Sequence, residues 1–108
     1  MNIETINLLD KYDSEILELD LSNQNIIGIL DLSKFKKIIK LNCSYNKITS
    51  LINLSHGLIE LNCSNNIITN LDHLPCSLLI LKANLNQITS FTNCFNAEVT
   101  IAPRQTIA

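Results

Sequence analysis

The chain repeats itself every 20 to 22 residues, and that period leaves few folds open to it. Ile16-Leu17-Glu18-Leu19-Asp20-Leu21 aligns with Ile38-Ile39-Lys40-Leu41-Asn42-Cys43. The same frame returns at Leu58-Ile59-Glu60-Leu61-Asn62-Cys63 and at Leu78-Leu79-Ile80-Leu81-Lys82-Ala83. Each block continues with the same punctuation. Gln24, Asn46, Asn66 and Asn86 share one position, and Ile26, Ile48, Ile68 and Ile88 another. Ile29, Leu51, Leu71 and Phe91 follow, then Leu32, Leu54, Leu74 and Cys94. A unit of about 20 residues cannot bury its own apolar face, so the units must stack.

Stacking dictates the rest of the reading. Within each Leu-x-Leu stretch the side-chain period is two, which predicts a short strand. Leu19/Leu21, Leu41/Cys43, Leu61/Cys63 and Leu81/Ala83 then point inward. Stacked units place these strands parallel, about 4.8 Å apart. After each strand the chain must turn. The asparagine column Asn46, Asn66 and Asn86 is predicted to bond the turn backbone from inside, because a buried amide is costly unless paired. Gln24 departs from the column: its extra methylene suits the end of a ladder poorly, or Asn25 takes part instead. The return segments are too short for full helices and are predicted to be extended or 3₁₀. The longer first unit has room for one helical turn at 32–37.

Both ends of a stack need covers. Ile3, Ile6, Leu9, Leu8 and Tyr12 recur at helical spacing, with Asn2 or Thr5 as N-cap. This predicts an amphipathic helix over the first coil, in a capping segment 1–15. Residues 16–95 form four repeats. Residues 96–108 form a partial fifth repeat, with Val99 and Ile101 in a strand that Pro103 ends, and a thin C-terminal cap.

Written generally, the pattern is LxxLxLxxNxIxxLxxL. It resembles the leucine-rich repeat family over about residues 16–94. The Asn-Cys-Ser-x-Asn-x-Ile-Thr wording and the step Leu74-Pro75-x-Ser77-Leu78 look like its short, 20-residue subclass, seen in bacterial secreted effectors and in repeat proteins of large DNA viruses of amoebae. The resemblance implies an α/β solenoid with a parallel sheet on its concave face and short convex segments. It also implies a role in protein–protein interaction inside a cell, without chemistry.

The residues themselves argue for little chemistry. Catalysis needs a nucleophile, a base and an orienting group in one pocket. The two histidines, His56 and His73, fall in return segments at non-equivalent positions and read as exposed surface. Glu18 and Glu60 are separated by Lys40 and read as a weak charge ladder. The cysteines Cys43, Cys63, Cys76 and Cys94 contain no CxxC pair, so no zinc site and no cofactor is expected. Cys43 and Cys63 read as buried apolar groups, although a disulfide between neighbouring coils is geometrically open to them. Cys94 reads as a core thiol, and Cys76, after Pro75, as the most exposed and reactive one. Free thiols and the lack of a signal-peptide pattern predict an intracellular, cytoplasmic protein, which includes the cytoplasm of a host cell. A net charge of −2 and few aromatics argue against nucleic acid, and no apolar run of membrane-spanning length is present. The run Lys34, Lys36, Lys37 and Lys40 faces an acidic first twenty residues and reads as solvated or internally paired charge.

The informative surface is the outward face of the predicted sheet. The binding candidates there are Lys40, Asn42, Tyr45, Glu60, Asn62, Asn65, Ile80, Lys82 and Leu85. Beside them runs an apolar stripe, Leu17, Ile39, Ile59 and Leu79, either shielded by a return segment or exposed as a contact band. The expected partner is a protein. The alternative is a self-associating structural protein, a homodimer through the C-terminal end or the adjoining sheet face.

Overall fold

The computed structural model describes residues 1–92 and 98–101. In chain order the elements are α1 (Ile3–Leu9), β1 (Glu18–Asp20), β2 (Ile27–Asp31), β3 (Lys40–Asn42), β4 (Lys47–Ile52), β5 (Glu60–Asn62), β6 (Asn70–Leu71), β7 (Ile80–Lys82), β8 (Ser90–Phe91) and β9 (Glu98–Thr100). The odd-numbered strands form one parallel five-stranded sheet in the order β1-β3-β5-β7-β9. On the return side β2 pairs with β4 and β6 with β8, both parallel. The chain is therefore a β-solenoid of stacked coils, with one short helix among the described residues.

The register follows the repeat. Leu19, Leu41, Leu61 and Leu81 stand side by side, and Val99 continues their row in β9. All four leucines are buried. The next inward row, Leu21, Cys43, Cys63 and Ala83, is fully buried as well. Ile38, Leu58 and Leu78 close the core at the start of each coil. The returning chain makes single i to i+3 turns: Phe35 N–H donates to Leu32 C=O, Leu58 to Ser55 and Leu78 to Pro75. Among the described residues none of these turns extends into a 3₁₀ run.

Two details correct the pattern read from the sequence. In the first coil Leu30, not Ile29, stands beside Leu51. The register of β2 against β4 shifts between Gly28 and Ile29, where Gly28 adopts φ +84°, so Leu30 is buried and Ile29 faces solvent. The buried face of α1 also differs. Asn2 caps the helix by accepting from the Thr5 N–H at 2.9 Å. Thr5 and Leu9 are buried, with Leu8 and Tyr12 packed beside them, while Ile3 and Ile6 are exposed. Positions 5, 8, 9 and 12 form a narrow stripe at helical spacing, and positions 3 and 6 fall outside it. Lys34 closes the helix by donating from Nζ to the Leu9 carbonyl at 2.9 Å, where a cation suits the exposed C-terminal carbonyls.

The asparagine column is a ladder. The Asn66 amide donates to the carbonyls of Cys43 at 3.0 Å and Cys63 at 3.1 Å, and its Oδ1 accepts from Ile48 N–H at 2.9 Å. Asn46 and Asn86 repeat this arrangement one coil before and after. Gln24 is exposed, and it is only its backbone N–H that meets the ladder, at Asn46 Oδ1. The end of the column is thus completed by the next coil's asparagine and not by Gln24 or Asn25.

Candidate functional site

The outward face of the five-stranded sheet is built in rows. Glu18, Lys40, Glu60, Ile80 and Glu98 are cross-strand neighbours, as are Asp20, Asn42, Asn62, Lys82 and Thr100. Lys40 Nζ lies 3.6 Å from Glu18 Oε1 and 3.9 Å from Glu60 Oε2. At these exposures the pairs contribute little stability, and with Asp20 beside them the first half of the face stays negative. Lys82 makes no ion pair among the described residues.

The second row is partly committed to the fold. Asn42 Oδ1 accepts from Ser44 N–H at 3.1 Å and from Ser44 Oγ at 2.6 Å. Asn62 Oδ1 accepts from Ser64 N–H at 3.1 Å, and Asp20 Oδ1 accepts from Ser22 in the same way. These bonds turn the chain out of each strand. The Ser22 hydroxyl, then its N–H, holds the Asp20 carboxyl below its ordinary range. Asn42 and Asn62, read as binding candidates, therefore spend their side-chain oxygens on their own turns.

The turn imposes a left-handed residue on every coil. Asn23, Tyr45, Asn65 and Leu85 occupy equivalent positions and have φ of 53°, 57°, 57° and 57°. Asparagine tolerates this conformation. Tyrosine and leucine do not, because Cβ crowds the following carbonyl. Sequence reasoning took Tyr45, Asn65 and Leu85 as binding candidates and missed the constraint; the signal available was Asn at two of the four positions, each directly after a Ser.

The apolar stripe lies along the opposite rim. Its backbone is tied coil to coil, with the Leu17 carbonyl accepting from Ile39 and Lys40 N–H, and Ile39 and Ile59 repeating the arrangement. Leu17 is 54% exposed and Leu79 56%, with Ile59 exposed and Ile39 half-buried. No return segment shields it. The stripe thus flanks the strand starts, Tyr45 and Leu85 follow the strands, and the half-buried Ile80 and the exposed Lys82 of β7 stand between.

The cysteines divide into two kinds. Cys43 and Cys63 are free and buried in adjacent coils. Burial pushes the Cys63 thiol up to about 12, and burial followed by the neighbouring Cys63 raises Cys43 well above the ordinary range. Since the thiolate is the reactive form, neither is to be alkylated by iodoacetamide in the folded protein, and both are to react in denaturant, as read by peptide mass spectrometry. Fast native-state labelling of either would show that the core opens. Cys76 is exposed and disulfide-bonded, which corrects the expectation of a reactive free thiol. A side chain at a turn has freedom to meet a second sulfur that the packed interior denies Cys43 and Cys63. The inference from free thiols to a reducing compartment thereby loses its basis at Cys76. Cys94, Pro103 and most of the C-terminal cap lie outside the described residues.

His56 and His73 come from different coils but line one cavity on the return side. Among the described residues no three metal-binding side chains converge, and no helix is long and apolar enough to cross a membrane. Compared with known proteins, the chain matches no family model, no curated protein and no solved structure.

Proposed function

We propose that the chain is a leucine-rich-repeat solenoid that binds a protein partner through the outward face of its five-stranded sheet, without catalysis. The observation that carries this reading is the pair Tyr45 and Leu85. Both are large apolar side chains, 58% and 37% exposed, on a backbone conformation that disfavours them. Each costs the fold about 1 kcal/mol relative to a residue suited to that conformation. Neither recovers that cost by full burial, so their placement serves contact with something else. The adjoining stripe adds apolar area, and stacked coils hold it rigid, so that binding orders little.

Stability and binding are expected to part company at these positions. Tyr45→Asn and Leu85→Asn should each raise unfolding free energy by roughly 0.5–1 kcal/mol. Both should lose the protein that the native chain captures, while Lys47→Ala keeps it. Variants that capture the same protein as the native chain would remove the sheet face from the account. The second reading rests on the same apolar rows at β7, which a second copy of the chain would also cover. A native dimer by sedimentation equilibrium, abolished in an Ile80→Glu, Leu85→Glu variant, would give the face to self-association instead.

A further inference from the structure

We infer that the return side of the solenoid holds a second site, one for an anion of two linked phosphoryl groups, bound by Lys36, His56 and His73. A cavity of about 610 Å³ opens there. Its wall draws on three successive coils: Ser33 and Lys36 from the first, Asn53, Ser55 and His56 from the second, and His73 from the third. Leu54 forms its apolar floor. Both histidines of the chain thus meet in one place, although the repeat sets them at different positions of their units.

The charge balance of this wall is opposite to that of the chain. The chain has 10 acidic residues against 8 lysines and arginines, yet among the described residues no carboxylate lines the cavity. Two acids lie just outside the lining, each held by hydrogen bonds and still charged. Asp31, which precedes Asn53 and His73 in their shared column, accepts from Asn53 Nδ2 and from Ser33 N–H, both at 3.0 Å. The Asn53 amide foremost holds its carboxyl below the ordinary range. Asp72, beside His73, accepts from the hydroxyls of Ser90 and Thr92. The nearby lysines divide in the same sense. Lys37 pairs with Glu15 at 3.0 Å, Lys40 with Glu18 and Glu60, and Lys34 with the Leu9 carbonyl. Lys36 makes no ion pair among the described residues, and neither imidazole makes a hydrogen bond there.

What remains on the wall is a set of donors with no hydrogen-bonded acceptor among the described residues, with the Asp72 carboxylate close enough to His73 to feel its charge. An ammonium group and two imidazoles on one wall call for an anion with several oxygens. Stacking alone sets Lys36 and His73 about 10 Å apart, two coil spacings, and His73 also lies three residues before the position equivalent to His56. One phosphoryl group is too small to meet both ends; two linked ones, with N–H···O bonds of about 2.9 Å at each side, are not. A single carboxylate has lone pairs enough but is, like one phosphoryl group, too short to meet both ends.

The test is titration of the native chain with inorganic pyrophosphate at constant ionic strength, read by calorimetry and by the histidine side-chain resonances. One pyrophosphate per chain is expected, with the His56 and His73 resonances moving together and sodium chloride moving neither. Lys36→Ala and the double variant His56→Ala, His73→Ala should each weaken binding about tenfold or more, and Lys47→Ala should not. All three residues are exposed, so the variants keep the core, and unchanged melting midpoints verify this. Unsaturable binding, or saturable binding indifferent to these substitutions, overturns the site. Orthophosphate binding as tightly as pyrophosphate overturns the assignment of two phosphoryl groups.

Discussion

Replacing Asn66 with alanine is expected to destabilise the fold by roughly 3 kcal/mol, and the same change at Asn46 by about 1 kcal/mol. The two side chains make the same kind of bonds, so burial decides the difference. Asn66 has no exposed surface. Its removal strands the Ile48 N–H inside the coil, with no water to replace it, while the Cys43 and Cys63 carbonyls lose one amide donor and keep Asn46 and Asn86. Asn46 is half-buried, and water can take its place on the N–H of the exposed Gln24, so the buried Ile26 N–H carries what cost remains. Urea unfolding of both variants measures the gap. Equal losses would show that the ladder is uniformly hydrated, and an unchanged midpoint for Asn66→Ala would remove the ladder from the account of stability.

Phe35→Ala is expected to cost more still, about 4 kcal/mol. Phe35 is the bulkiest of the fully buried side chains, inside the longer first coil. Its ring supports Lys34, whose Nζ lies 5.4 Å from the ring centroid and reaches the end of α1. Deleting the ring leaves a cavity and loosens the tie to the capping helix. A domain of this size is stable by about 5–15 kcal/mol, so the variant loses a large part of the total. Calorimetric melting checks it. A loss under about 1 kcal/mol would mean that the first coil collapses around the gap, as cores with room to relax do.

The stacked architecture was legible because period and alternation are properties of neighbouring residues. Leu19, Leu41, Leu61 and Leu81 fall in register as the repeat requires, and so does the column of Asn46, Asn66 and Asn86. Phe35 was not legible as core, because it lies in the two residues by which the first unit exceeds the others. Ile29 looked like core for the opposite reason: the repeat has no place for the register shift at Gly28. On the sheet face the rows could be listed from the sequence. The strain at Tyr45 and Leu85 could not, since it depends on backbone angles that only the closed turn imposes. The meeting of His56 and His73 depends on how return segments of unequal content pack, which no repeat position encodes.

The ladder also has a direction, and that matters to a chain made from its N-terminus. Each asparagine reaches backward: Asn46 serves Ile26, Asn66 serves Ile48, and Asn86 serves Ile68. A coil leaving the ribosome therefore cannot close its own turn; it waits with an open N–H until the next asparagine has been synthesised. Maturation advances in strides of one unit, always one unit behind synthesis. Loss of the first coil merely wets Asn46, whereas loss of the coil bearing Asn86 takes away the acceptor of the Ile68 N–H and uncovers that turn. Unravelling from the C-terminal end thus reverses the order of manufacture, each departing coil unlocking the one before it.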